Sequence, residues 1–453
     1  MKTFYSINPY NQETISEHVS QTPSEVDSIL TKAEKAFQQW RFSAKLERVD
    51  LLKRIASILN KNKETYALTM SLEMGKPLRE SIIEIEKSAW GCEYYAEKGI
   101  EFLEDQYFDT RATTSFVRYE PLGTILAIMP WNFPFWQFFR FAAPNLMAGN
   151  NILLKHAPNV FGCAKHIADI LAEAGLPEGV FHNLFIDTDL VPKVIEHKTV
   201  KAVTLTGSTL AGSKVAELAG KNIKKSVLEL GGNNAFIVLD SANLDDAIDS
   251  VFVSRMRNSG QSCIAAKRIL LQESIKDEFL AKISIKMKQE LQPGNPIEES
   301  TTFGTLARID LADKVSVQVT STIKSGAKLL VGGEQKQAYF APTILDNVQP
   351  NSVAFEEEVF GPVISTTTFG TLDEAVKLAN QSNYGLGTSI YTEDIDLALH
   401  YASKFDDGSV FINELVRSDP RLPFGGTKTS GYGRELALEG IREFVNTKTI
   451  YVK

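Results

Sequence analysis

Three residues in this chain of 453 amino acids have side chains suited to acyl transfer through a thioester. Cys263 ends a turn-forming run and can supply a thiolate, which is a strong nucleophile. Glu229 ends a strand-like run, where a carboxylate among apolar residues that is hydrogen-bonded or raised in pKa can activate water. Asn132 lies in a turn flanked by prolines and offers two uncharged amide donors, which suit a developing oxyanion. Their combination predicts an enzyme.

Each of these residues taken alone also fits a structural role. A lone cysteine is most often a small buried apolar residue, and we interpret Cys92 and Cys163 in that way because they lie in helical patterns among apolar neighbours. Glu229 alone fits an exposed position on an edge strand, and Asn132 alone fits a plain turn residue. The surrounding elements and motifs decide between these interpretations.

The periodicity of the apolar residues predicts an α/β protein in which two sheets position these groups. Amphipathic helices are expected over residues 24–103, and strands over 113–119, 123–129, 151–155 and 202–206. The last of these strands leads through Gly207 and Ser208 into a helix, which is the unit of a nucleotide-binding sheet. A second α/β unit is expected from about residue 231, with strands over 235–239 and 268–271 and a helix over 244–257. The apolar strand over 448–453 is expected to pair with a distant segment or another subunit.

Composition narrows the class of protein. With 43% hydrophobic and 23% charged residues, the chain is typical of a globular protein of two or three domains. Its net charge of -8 gives no reason to expect nucleic acid or a membrane as a partner. Three scattered cysteines are too few for a disulfide framework, and no Cys/His spacing matches a metal site. Neither a signal peptide nor an apolar run of membrane-spanning length is found, so a cytoplasmic protein is expected.

Eight short motifs give the chain a resemblance to the aldehyde dehydrogenase superfamily over essentially its whole length. They occur at residues 130–134, 155, 205–208, 228–232, 260–263, 357–362, 383–386 and 423–426. The resemblance implies two Rossmann-like α/β domains, a cofactor-binding domain of residues 1–105 and 120–230 and a catalytic domain of residues 231–417. It also implies a small β oligomerisation element at residues 106–119 and 436–453, and a homodimer or homotetramer.

The resemblance implies a mechanism that the residue chemistry supports. The Cys263 thiolate attacks an aldehyde, and the Asn132 amide and the Cys263 backbone N–H hold the oxyanion. After hydride leaves for a nicotinamide, water activated by Glu229 hydrolyses the thioester and releases a carboxylic acid. Ala265 stands where some relatives carry a second cysteine, so a regulatory disulfide with Cys263 is not expected.

A dinucleotide site is implied in the same way. The pyrophosphate is expected near the helix that starts at Ser208, where free N–H groups favour anions. Lys155 is expected to bind the adenosine ribose, and Glu358 the nicotinamide ribose with Phe360 beside the ring. The other cofactor-binding residues that the resemblance implies are Trp131, Ala157, Pro158, Gly207 and Leu230.

One departure from the family pattern bears on the choice between NADP and NAD. Many NAD-preferring relatives carry a glutamate, which accepts hydrogen bonds from the adenosine ribose, at the position of Pro158. Without that negative charge a 2′-phosphate is not repelled, and Lys155 can attract it. NADP is therefore expected to be preferred, with NAD also used. His156 either helps to attract the phosphate or is a neutral packing residue.

Arginines near the thiol indicate the substrate. Arg140 follows the asparagine turn and Arg257 precedes the cysteine turn, and arginine binds a carboxylate with two hydrogen bonds. Both positions match arginines of succinate-semialdehyde dehydrogenases, and Ser418 matches a serine that assists there. Oxidation of succinate semialdehyde to succinate is therefore expected. Arg417 and Arg421 stay open as alternatives to Arg257.

Other functions stay open at this point. The nearest is a dehydrogenase for another carboxylated aldehyde, such as glutarate semialdehyde, or for general aliphatic aldehydes. A coenzyme-A-acylating enzyme is less favoured, because thioester transfer to a thiol does not need the water-activating Glu229. A non-catalytic nucleotide-binding descendant is disfavoured because Cys263, Glu229, Asn132 and Lys155 are present together.

Overall fold

The computed structural model describes residues 2–453 and opens with a β-hairpin and a group of helices. They are β1 (Thr3–Ile7), β2 (Thr14–Val19), α1 (Pro23–Trp40), α2 (Lys45–Lys61), α3 (Lys63–Met74) and α4 (Leu78–Phe102). A capping box of Thr22 and Glu25 starts α1 and satisfies two backbone N–H groups. The amphipathic helices predicted over residues 24–103 are confirmed. No helix within residues 2–453 is long and apolar enough to cross a membrane.

Two α/β units and a C-terminal segment follow. The first unit contains β3 (Gln106–Tyr107), β4 (Thr114–Pro121), β5 (Thr124–Met129), α5 (Pro134–Ala148), β6 (Asn151–His156), α6 (Phe161–Glu173), β7 (Phe181–Asn183), α7 (Val191–Glu196), β8 (Val200–Thr206), α8 (Thr209–Lys221) and β9 (Lys225–Glu229). The second contains β10 (Ala235–Val238), α9 (Leu244–Met256), β11 (Arg268–Gln272), α10 (Lys276–Glu290), α11 (Ile309–Lys324), β12 (Lys328–Val331), β13 (Gln335–Lys336), β14 (Tyr339–Phe340), β15 (Thr343–Asp346), α12 (Val353–Glu356), β16 (Val363–Phe369), α13 (Leu372–Asn380), β17 (Tyr384–Gly385), β18 (Thr388–Tyr391), α14 (Ile395–Ala402) and β19 (Val410–Ile412). The C-terminal segment contains β20 (Thr427–Lys428), β21 (Gly431–Tyr432), α15 (Ala437–Arg442) and β22 (Val445–Val452).

Two large sheets form the body of the protein. Within the described chain, one has six strands in the order β21-β9-β8-β5-β6-β7, and the other has seven in the order β12-β15-β16-β11-β10-β18-β19. The strands are parallel except at one edge of each sheet, where β21 and β12 pair antiparallel. Strands such as β10 are buried along their whole length, as expected for parallel strands covered on both faces. The α/β class with two Rossmann-like sheets is confirmed.

The last strand of the chain pairs with a distant segment. β22 runs antiparallel to β4 from Val445 beside Pro121 to Val452 beside Thr114, and β3 completes a three-stranded sheet. The pairing explains why the apolar run near residue 450 had no local partner. Most of β22 is exposed at the edge of this sheet.

Two buried glutamates of the helical group start helices of the first α/β unit. Glu84 on α4 accepts hydrogen bonds from the backbone N–H groups of Phe135 and Trp136, at 2.9 and 3.1 Å, and thereby caps α5. Its other oxygen forms a buried ion pair with Lys76 at 2.5 Å. Glu73 caps α6 in the same manner. Carboxylates at helix N-termini are stabilised by the helix dipole, so these acids fix the position of α5 and α6.

Candidate active site

The turn that ends at Cys263 has an unusual backbone. Asn258, Ser259 and Gly260 have φ angles of 51°, 50° and 75°, so three successive residues are left-handed. A Cβ at Gly260 would lie 2.3 Å from a backbone oxygen of the facing loop, so only glycine fits. The N–H of Asn258 donates to the Glu80 carboxylate at 2.7 Å. These contacts hold a strained turn in one conformation.

Asn132 is hydrogen-bonded to this turn in both directions. Its side-chain Nδ2 donates to the backbone carbonyl of Gln261 at 3.1 Å, and its own backbone carbonyl accepts from Asn258 Nδ2 at 2.7 Å. An amide nitrogen carries two hydrogens and one is used here, so the second is left for an oxyanion. The structure thus brings Asn132 to the turn that carries Cys263.

Glu229 ends β9 and is buried, with 2% of its surface exposed. Gly431 of β21 pairs with it, and a Cβ at Gly425 would lie 2.8 Å from its Oε1, so the C-terminal segment covers the carboxyl group. Within the described residues this Oε1 has no hydrogen-bond partner. Burial, and after it the Glu435 carboxylate, raise the pKa of Glu229 well above its usual value. Such a carboxyl group is a stronger base than an exposed one.

The three cysteines differ in exposure. Cys92 and Cys163 are buried, as interpreted from the sequence, and burial raises the pKa of both thiols. Cys263 is partly exposed. Burial raises its pKa to about 11, while the Lys267 ammonium and then the Arg140 guanidinium act to lower it. The thiol is therefore protonated at rest, and two cations favour its thiolate.

Lys267, which was not singled out from the sequence, places a positive charge beside the backbone of Cys263, the expected nucleophile. Its Nζ donates to the carbonyls of Ser262 and Cys263, both at 2.8 Å, and pairs with Glu358 Oε1 at 3.1 Å. Glu358 also accepts from the Gly232 N–H at 3.1 Å. The sequence did hold a signal for this role, because Lys267 directly precedes an apolar strand. A buried ammonium group at such a position needs carbonyl or carboxylate partners. Lys267 therefore links Glu358, the expected ligand of the nicotinamide ribose, to the turn that carries Cys263.

Most residues expected to bind a cofactor lie at the carboxyl edge of the six-stranded sheet, where open parallel sheets bind ligands. Ser208 caps α8 by accepting from the Ala211 N–H at 3.3 Å, and the free N–H groups of this helix end suit a pyrophosphate. The ring centroids of Phe360 and Trp131 lie 5.7 Å apart. The positions at the edge are Trp131 after β5, Lys155, Ala157 and Pro158 at the end of β6, Gly207 and Ser208 after β8, and Leu230 after β9.

At the end of this edge where the adenosine is expected to bind, the structure places Lys155. The Lys155 ammonium forms no ion pair in the described chain and donates only to a backbone carbonyl at 3.4 Å, so it fits an anionic ligand. His156 is the neutral packing residue of the two alternatives. Its Nδ1 accepts from the Ala157 N–H at 2.9 Å, its Nε2 donates to the Pro134 carbonyl at 3.1 Å, and burial lowers its pKa to about 4. His156 therefore does not attract a phosphate.

Arg140, Arg257 and Ser418 line one cavity together with Cys263. Arg140 is 2% exposed and forms a buried ion pair with Glu435, so part of its charge is balanced within the protein. Arg257 is exposed and has no ion-pair partner among residues 2–453. The structure thus brings the three residues expected to bind the substrate to the expected nucleophile.

Two other arginines do not reach this cavity. Arg417 pairs with Glu414 and Arg421 pairs with Asp419, both at the surface, and neither lines the cavity. Lys87 on α4, which the sequence did not single out, lines it instead. An amphipathic helix carries many lysines on its solvated face, so no local signal marked this one.

Comparisons with known proteins agree with this geometry. The model of the aldehyde dehydrogenase family matches residues 1–450. A probable succinate-semialdehyde dehydrogenase (NADP+) of Synechocystis sp. is 44% identical over 450 residues, 99% of both chains. A succinate semialdehyde dehydrogenase (NAD(P)+) of Escherichia coli is 41% identical over 449 residues, 98% of this chain and 97% of that one. The crystal structure of succinic semialdehyde dehydrogenase from Streptococcus pyogenes with NADP+ is 36% identical, covers 99% of both chains and has a TM-score of 0.96.

Proposed function

Since this chain belongs to the aldehyde dehydrogenase family, we propose that it oxidises succinate semialdehyde to succinate, with NADP preferred and NAD also used. The cavity that Cys263 shares with Arg140, Arg257 and Ser418 carries the proposal. A cavity with positive charge beside a nucleophilic thiol favours an aldehyde that bears a carboxylate. The names of the relatives from Synechocystis, Escherichia coli and Streptococcus pyogenes support the same substrate and cofactor.

The residues of the site divide the reaction between them. The Cys263 thiol releases its proton to water and its sulfur bonds to the aldehyde carbon. The π electrons of the carbonyl bond move to the oxygen, and the Asn132 amide and the Cys263 N–H hold the oxygen that becomes negative. A bound NADP would supply the acceptor for the hydride of this carbon, and the acyl group would then stay on Cys263 as a thioester. Glu229 then takes a proton from water, which attacks the thioester carbon and releases the carboxylate product and the Cys263 thiolate.

We propose that the cofactor is held along the edge described above. In this proposal Lys155 binds the 2′-phosphate. The proline at position 158 supports this, because it leaves no carboxylate where many NAD-preferring relatives carry glutamate. The helix that Ser208 caps suits the pyrophosphate, and Glu358, held by Lys267, suits the nicotinamide ribose with Phe360 and Trp131 beside it. Ala157, Gly207 and Leu230 complete this set.

We further propose a cytoplasmic homodimer or homotetramer that assembles through the three-stranded sheet of residues 106–119 and 436–453. The exposed edge of β22 supports this, because an unprotected strand edge tends to pair with another chain. The unpaired state of all three cysteines suits a reducing compartment.

We propose two domains, a cofactor domain of residues 1–105 and 120–230 and a catalytic domain of residues 231–417. The two large sheets support this division, because apart from β21 each sheet takes all its strands from one of these ranges.

Steady-state kinetics with succinate semialdehyde, glutarate semialdehyde and butanal, each with NADP and NAD, test the proposal. We expect the highest kcat/KM for succinate semialdehyde with NADP. Cys263→Ala should abolish turnover, and Glu229→Gln should release a burst of reduced cofactor and then stall. A neutral aldehyde as the best substrate would contradict the assignment, and the absence of a burst would contradict the role of Glu229 in hydrolysis.

A further inference from the structure

Lys87 is an unpaired cation inside the cavity that contains Cys263. Its Nζ donates to Ser418 Oγ at 2.9 Å and lies 4.4 Å from the centroid of the Trp136 ring. Among residues 2–453 it forms no ion pair, and the side chain is only partly exposed. Removing an ammonium group from water without a carboxylate partner is costly, and a ligand that brings a carboxylate offsets that cost.

The other two cations of the cavity are less available or less shielded than Lys87. Arg140 already forms a buried ion pair with Glu435. Arg257 follows the last residue of α9 and is exposed, so dissolved salt screens its charge. Lys87 therefore adds a cation that is both free and partly shielded from solvent.

Ser418 is held so that its own hydrogen is free. Its Oγ accepts two hydrogen bonds, from Lys87 Nζ at 2.9 Å and from Trp136 Nε1 at 3.0 Å. A hydroxyl oxygen has two acceptor sites and one hydrogen, and in the described chain no acceptor takes that hydrogen. The side chain is buried and lines the same cavity. The O–H of Ser418 and an N–H of Lys87 can thus donate to one carboxylate.

We propose that Lys87 is a specificity-determining residue that binds the carboxylate of the substrate together with Ser418. The inference rests on the proposed function, because it assumes a carboxylated aldehyde. A neutral aldehyde of the same length makes no use of this pair of donors. Lys87 therefore acts on the choice between substrates and on KM, whereas the chemical step belongs to Cys263, Asn132 and Glu229.

The charges around Lys87 make this role depend on pH. Burial, with smaller contributions from the guanidinium groups of Arg140 and Arg257, lowers the pKa of Lys87 to about 7. The carboxylates of Glu84 and Asp419 act in the opposite direction. Lysine is charged below its pKa, so the free enzyme loses this cation as the pH rises through about 7. A bound carboxylate stabilises the charged form, so binding takes up a proton in this range and weakens at higher pH. The charged groups around the ammonium are Arg140, Arg257, Glu84, Asp419 and, on the cavity wall, Glu80.

The test compares succinate semialdehyde with butanal at saturating NADP between about pH 6 and about pH 9. The measured quantity is the ratio of kcat/KM for the two aldehydes, in which titrations of Cys263 and Glu229 largely cancel. We expect Lys87→Met to lower this ratio by about tenfold or more near pH 6.5, mainly through KM. In the wild type the ratio should fall as the pH rises through about 7, and in Lys87→Met it should be flat.

Two further variants separate charge from structure. Lys87→Arg stays charged at every working pH, so it should restore the ratio and keep it at high pH. Lys98→Met is the matched control, because Lys98 lies on the same helix and pairs with Glu101 at the surface. It should match the wild type.

Each outcome has a distinct meaning. Equal losses for both aldehydes in Lys87→Met, or an unchanged pH dependence of the ratio, would overturn the role of Lys87. A wild-type enzyme with equal kcat/KM for butanal and succinate semialdehyde would instead overturn the proposed function. A wild type that prefers succinate semialdehyde, with a Lys87→Met variant that keeps this preference, would overturn the role of Lys87 alone.

Discussion

Replacing Lys267 by methionine should make the Cys263 thiol a weaker acid and a slower nucleophile. The Nζ of Lys267 lies 2.8 Å from the Cys263 carbonyl oxygen, and of the neighbouring charges it lowers the thiol pKa most. Methionine keeps a flexible apolar stem of similar length and removes the charge. The electrostatic support of the thiolate is therefore lost.

The size of the effect follows from Coulomb's law. A unit charge about 6 Å from a thiolate contributes about 3 kcal/mol at an effective dielectric constant of about 20, or about 2 pKa units. The fraction of thiolate at about pH 8 then falls about 100-fold. A thiolate of higher pKa is intrinsically more nucleophilic, which offsets about eightfold of this loss at a Brønsted coefficient of about 0.45. The net expectation is alkylation about tenfold slower.

Inactivation by iodoacetamide measures this rate, with mass spectrometry to identify the labelled peptide. Cys92 and Cys163 are buried, so early labelling reports on Cys263. Lys267→Arg keeps the charge and its donors and should stay within about threefold of the wild type. A Lys267→Met rate within about twofold of the wild type, in a protein with unchanged circular dichroism and melting temperature, would refute the electrostatic reasoning.

Two other substitutions test the support of α5 and the choice of cofactor. Glu84→Ala leaves Lys76 buried without its partner and uncaps α5, so the melting temperature should fall by about 5 °C or more. Adding Lys76→Met should restore part of the loss, and strictly additive losses in differential scanning fluorimetry would contradict the pairing. Pro158→Glu should lower kcat/KM with NADP by about tenfold and raise it with NAD, and an unchanged cofactor ratio would contradict the placement of Pro158.

Local patterns were sufficient to predict most of the elements. The apolar run over residues 123–129 is β5, and the glycine after the run over 202–206 marks the start of α8. Both signals depend only on neighbouring residues, which is why they survive without knowledge of the tertiary structure. The motifs likewise indicated which residues would meet, since the Asn132 side chain is hydrogen-bonded to the turn that carries Cys263.

The charges that act on the site could not be predicted in this way. Lys87 contacts Ser418 across 331 positions of the chain, and Arg140 pairs with Glu435, so each contact depends on how distant elements pack. His156 illustrates the same limit, because burial of the ring and the hydrogen bond to the distant Pro134 carbonyl favour its neutral form, and neither can be read from neighbouring residues. Whether a charged side chain is free is a property of its partners, and those are not local in sequence.

The segment from Ser418 to Val452 also has a consequence for the order in which activity appears during synthesis. It contributes Ser418 to the cavity, Gly425 beside Glu229, Glu435 as the partner of Arg140, and the last strand of the three-stranded sheet. Of these 453 residues it is the part that the ribosome makes last. A nascent or truncated chain that lacks it holds a thiol and an amide without a finished pocket. The pocket around Cys263 is therefore finished only after this segment has been synthesised.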